Sequence, residues 1–80
     1  MSSSIIEVFK NKDYCLEQLS EARNIFGNKL TTLEQYTMLE KTLSLMFFYC
    51  PDEIKNYVYM TILEAEERRS YFETFFWKNN

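Results

Sequence analysis

Apolar residues recur at three- and four-residue spacing in three stretches of the 80-residue chain, the periodicity of amphipathic α-helices. The last stretch is the longest. From Pro51 to Lys78 no glycine or further proline interrupts it, and Ile54, Val58, Ile62, Ala65, Phe72 and Phe76 fall on one row in which Arg69 is the only charged member. Pro51 followed by Asp52 and Glu53 suits a helix start: proline lacks only an N–H that would be orphaned there, and the carboxylates face the positive end of the dipole.

Upstream, Leu16, Leu19, Ala22 or Arg23, and Phe26 share a face and predict a helix over Tyr14–Phe26. Gly27, the only glycine, is expected to end it in the left-handed conformation, so that a β-branched replacement would cost more than a surface change. Thr31 and Glu34 form a capping-box pattern for the next helix. Leu30 precedes it in the staple position, although the matching position holds Gln35. This second helix carries Tyr36, Leu39, Leu43, Met46 and Cys50, and its end, LMFFYC, has almost no polar face. Pro51 disfavours helical geometry at Cys50 and places the next break there.

The short connection at Gly27 predicts that the first two helices are antiparallel neighbours, an αα-hairpin. Residues 2–12 are less defined. Ser4 and Glu7 have capping-box spacing ahead of Val8 and Phe9, while Asn11-Lys12-Asp13 offers a break with Asp13 as a new N-cap. The first helix is therefore either continuous from Ile5 or restarted at Asp13, with residues 1–12 a separate short helix or flexible.

The fold class expected is all-α: one domain over residues 1–80, a helical hairpin plus a long C-terminal helix, self-associating. At 1.5 Å per residue the second helix is about 27 Å long and the third about 40 Å. An antiparallel third helix would then overrun the second by roughly two turns, leaving Tyr71, Phe72, Phe75, Phe76 and Trp77 uncovered unless Ile5, Ile6 and Phe9 fold over them or another polypeptide does.

Composition sharpens that expectation. With 46% hydrophobic and 18% aromatic residues the chain holds abundant material for a core, more than a domain of this size readily hides. Two cysteines, Cys15 and Cys50, and no histidine argue against disulfide or metal support, so no metal or cofactor is expected and a partner chain is the remaining source of stability.

The same absences remove Ser-His and Cys-His chemistry, and a single glycine leaves no usual phosphate-binding loop, so the protein is not expected to be an enzyme. Glu64 with Arg68 and Glu66 with Arg69 read as surface ion pairs on a helix. Cys50 reads as a small buried hydrophobe. Cys15 lies in the first turn after Asp13, where a helix N-terminus lowers a thiol pKa, but a structural role is expected.

Net charge is −3 and the basic residues are scattered. Nucleic acid is disfavoured as a partner of a lone monomer. No basic leader precedes a long apolar run, and the longest apolar run, Leu45 to Cys50, is too short for a span. The mixed charges of the last helix suit an anionic bilayer surface poorly, so a membrane is disfavoured too. A cytoplasmic location is expected from free thiols without a secretion signal.

Two functional readings follow. In the first, the chain is a non-catalytic protein–protein interaction module, a small regulator, adaptor or chaperone, docking Tyr71, Phe72, Phe75, Phe76 and Trp77 together with Phe47 and Phe48 onto another protein or, as a homodimer, onto itself. The rings of the last helix spread too widely around it to face one direction, so some must point away from the core. In the second, a dimeric transcription regulator brings Arg68, Arg69, Lys10 and Lys12 onto one face toward nucleic acid.

Overall fold

The computed structural model describes the backbone of residues 2–79 and the side chains of residues 6–75. Four α-helices follow one another, α1 (Ser2–Phe9), α2 (Lys12–Gly27), α3 (Leu33–Tyr49) and α4 (Lys55–Asn79), with a 3-10 turn at Asp52–Ile54 leading into α4. Among the described residues there is no strand. The chain turns between α1 and α2 at Lys10 and Asn11, and the cap is Asn11, whose Oδ1 accepts from the Tyr14 N–H at 2.9 Å. Asp13 lies already inside the helix, as does Ser4 in α1.

The second cap also sits one residue from its expected place. Thr32 and Gln35 form the reciprocal box, Thr32 Oγ1 accepting from the Gln35 N–H and Gln35 Oε1 from the Thr32 N–H. Thr31 is buried instead, its hydroxyl donating to Ile25 O at 2.7 Å and satisfying a carbonyl at the end of α2. Leu30 is 85% exposed and makes no staple. The break at Cys50 falls where Pro51 requires it, with Cys50 in extended geometry.

Gly27 departs from expectation. It is the last residue of α2, its φ is not positive, and the chain leaves the helix through extended Asn28. A Cβ built there meets no atom within 4 Å. Gly27→Ala is therefore expected to stabilise the fold by roughly 0.5 kcal/mol through the unfolded chain's lost freedom. Urea denaturation reads this directly, and a loss of stability would restore the left-handed reading.

The bundle runs up, down, up. Lys12 meets Glu53 at 3.3 Å and Arg68 reaches Phe26 O at 3.2 Å, so α2 and α4 are parallel. Tyr36 lies by Phe72, Glu40 pairs with Arg69, and Phe47 lies by Tyr59, so α3 is antiparallel to α4. The tightest pair is α3 with α4, whereas α2 and α3, expected as antiparallel neighbours in an αα-hairpin, do not pack closely. The reason is on α4: its buried row, Val58, Thr61 and Ala65, is small, which lets the backbones approach. Between α2 and α3 a shallow groove of about 470 Å³ remains, floored by Ile25 and Leu39.

The core joins Leu19, Ala22 and Phe26 of α2, Tyr36, Leu43 and Met46 of α3, and Ile54, Val58 and Ala65, with Phe9, Cys15 and Cys50 closing one end. Thr61 is buried among them, its hydroxyl donating to Tyr57 O at 2.8 Å. The molecule measures 42 × 26 × 18 Å, its long dimension set by α4. No helix of the described residues is long and apolar enough to cross a membrane.

Candidate functional site

The end of the bundle where α4 outruns its neighbours is built by register. With Tyr36 beside Phe72 and Leu33 opening α3 three residues earlier, α3 accompanies α4 to about Phe75, further than the helix lengths suggested. It is α2 that stops short. Gly27 ends it near the level of Arg68, which leaves the flank of α4 that α2 would cover bare for the remaining turns. α1 lies at the opposite end, where the Cys15 thiol donates to Phe9 O at 3.0 Å. Eight residues long, or about 12 Å, α1 cannot fold over Tyr71 to Phe75.

The residues expected to bind a partner divide accordingly. Phe72 packs half-buried against the core, tilted on Tyr36 at 6.4 Å. Tyr71 is 73% exposed on the flank, and Phe75, one turn further along, is 60% exposed. Phe76 and Trp77 lie outside the described side chains. Phe47 and Phe48 sit at the other end of the antiparallel pair, where Phe47 contacts Tyr59 at 6.1 Å and Phe48 is 75% exposed. They do not join Tyr71 and Phe75 in one surface.

The bare flank continues down α4 as an open groove of about 840 Å³ between α2 and α4, lined by Arg23, Tyr36, Met60, Thr61, Leu63, Glu64, Glu67, Arg68, Tyr71 and Phe72. Met60 and Leu63 were not singled out in the sequence, although with Tyr71 they make a second, weaker row behind the main stripe. Met60 is 62% exposed on the same flank, about three turns before Tyr71.

The groove's charges are held in place. Arg23 Nε donates to Tyr57 Oη at 2.9 Å with its guanidinium 5.1 Å from the ring centroid. Arg68 bonds Glu64 through Nε and Nη2 at 3.2 and 3.1 Å, stacks 5.0 Å over Phe26, and caps α2 at Phe26 O. A cation there also meets the negative end of the α2 dipole. Glu67 has no ion-pair partner among the described residues.

Beside the groove, Arg69 is committed to Glu40 of α3 and to Glu73 at 2.6 Å rather than to Glu66. Those hydrogen bonds to Glu40 and Glu73 push its already high pKa further up. Lys10 pairs with Glu7 at 3.1 Å and Lys12 with Glu53. All four cations of the nucleic-acid reading are thus neutralised within the chain.

The thiols offer no reactive site. Cys15 and Cys50 are buried, and burial, with the nearby Cys50 contributing, pushes the Cys15 thiol up rather than down. Burial raises Cys50 likewise, partly offset by Lys55. Among the described residues no group of three or more cysteine or carboxylate side chains is placed to hold a metal. No family model matches the chain, and no curated protein or solved structure is similar to it.

Proposed function

We propose that the protein is a non-catalytic interaction module that docks the exposed flank of α4 onto a protein partner. One observation carries this reading: Met60, Leu63 and Tyr71 are exposed along one helix and line a groove of about 840 Å³, with Phe75 exposed one turn beyond Tyr71. Isolated exposed hydrophobes are ordinary, but an aligned set with two aromatic anchors is the composition of an interface centre. The groove is open and bordered by the long helix α4, which suits a helical partner presenting apolar residues every third or fourth position.

Phe47 and Phe48, at the far end, belong to a separate small patch and are left out of this surface. The nucleic-acid alternative gains no support, because Lys10, Lys12, Arg68 and Arg69 are each paired to a carboxylate.

The test is photo-crosslinking of the intact chain. With a photoreactive phenylalanine analogue in place of Tyr71, one adduct of defined mass is expected, lost when Met60→Ala is added and absent when the analogue replaces Ser20 on α2. Equal adducts from both positions would remove the assignment.

A further inference from the structure

The charges lining the groove between α2 and α4 balance in number, Arg23 and Arg68 against Glu64 and Glu67, but not in availability. Arg23 is spent on the hydroxyl and ring of Tyr57. Arg68 is spent on Glu64, Phe26 O and the Phe26 ring. Glu64 is spent in the same pair, and Glu67 alone is left open to a partner.

The other wall adds charge of the same sign. The exposed face of α2 carries Asp13, Glu17 and Glu21 one turn apart, and none of them has an ion pair among the described residues. The register set by Lys12 with Glu53 and Arg68 with Phe26 O brings Glu17 and Glu21 alongside Val58 to Leu63. The lysines without a partner among the described residues, Lys29 and Lys41, stand elsewhere, beyond the end of α2 and on α3.

Resting on the docking surface proposed above, we infer that the helix this groove takes is cationic. Its apolar row lies on Met60, Leu63 and Tyr71. Lysine or arginine on one flank meets Glu67, and on the other meets Glu17 and Glu21. Such side chains lay their aliphatic stems over apolar surface and carry the charge to its edge, which is where these carboxylates stand.

Met60 to Tyr71 extends about 17 Å along α4, so about three turns of a partner helix cover it. Nucleic acid and an anionic lipid surface meet the same carboxylates as repulsion. Charges at the border of an apolar contact act chiefly on which partner docks, so the acids select and the apolar row holds.

A displayed library of helical peptides about 16 residues long, with leucine fixed at every third or fourth position and the rest randomised, tests this on the full chain. Selected clones should carry Lys or Arg in excess on both flanks of the leucine row. Read by fluorescence polarisation, Glu67→Lys should weaken them about tenfold, and Tyr71→Ala at least as much. Glu34→Lys, the same change of net charge on the exposed start of α3, should leave them unchanged. Reselection on Glu67→Lys should replace the cation of one flank by Asp or Glu. Neutral or acidic flanks, equal weakening by Glu34→Lys, or no clone above background overturns the cationic partner. If the Tyr71 crosslinker still gives its adduct in that case, the docking surface stands; without the adduct both fall.

Discussion

Leu43→Ala is expected to destabilise the protein by about 3 kcal/mol, lowering its melting temperature by roughly 15 °C. Leu43 is 1% exposed at the middle of α3, where α4 packs most closely, so truncation leaves a void that the surrounding side chains cannot fill without moving two backbones. Leu45→Ala, two positions on and 41% exposed, should cost under about 1 kcal/mol. The contrast tests the face of α3 rather than leucine in general. Equal losses measured by thermal melting of the two variants would mean that α3 is rotated from the position described.

Thiol protection is the second large effect. Cys15 is fully buried and Cys50 nearly so, so alkylation should proceed only through unfolding and be slowed by roughly three orders of magnitude or more relative to the unfolded chain. Both folded thiols titrate above the ordinary value of 9.0 because burial disfavours the thiolate.

The sign of the linked pH effect follows. Between the unfolded and folded values the unfolded chain binds fewer protons, so stability falls as pH rises. The contribution is complete below the unfolded value and is lost as pH climbs through the folded ones. Denaturation at pH 8 and pH 10 should show the loss, and the double variant Cys15→Ala/Cys50→Ala should show less of it. Rapid labelling of native protein at the rate of unfolded protein would contradict the burial of both groups.

The stripes were the legible part of the fold. Ile54, Val58 and Ala65, and Tyr36, Leu43, Met46 and Cys50, are buried as their spacing requires, because a helix in water has one way to hide such rows. Caps were less legible because adjacent residues compete. Thr31 and Thr32 have the same chemistry, and it is Thr32 that caps α3 while Thr31 is buried with its hydroxyl donating to Ile25 O of the preceding helix. Gly27 suggested a left-handed stop, yet the chain escapes one residue later through an ordinary extended conformation at Asn28.

Pair strengths were also hidden. Nothing in periodicity reveals that the small row Val58, Thr61 and Ala65 draws α3 closer than α2. For the candidate surface, the exposed rings Tyr71 and Phe75 could be anticipated from their spread around α4. Their separation from Phe47 and Phe48 required the antiparallel register, which depends on contacts such as Glu40 with Arg69 that lie 29 residues apart.

Lys55 and Arg68 have one more consequence. Lys55 donates to Phe47 O while lying 4.9 Å over the Phe47 ring, and Arg68 donates to Phe26 O, so α4 supplies the cation at the carbonyl ends of both α3 and α2. α4 is also synthesised after both of them. During synthesis the first two long helices emerge with those carbonyl ends unneutralised and their greasy rows without the partner that covers them, and at about 5–20 residues per second that interval lasts a few seconds. Over that interval neither long helix has the partner that hides its apolar row, so neither is expected to be stable before α4 is complete.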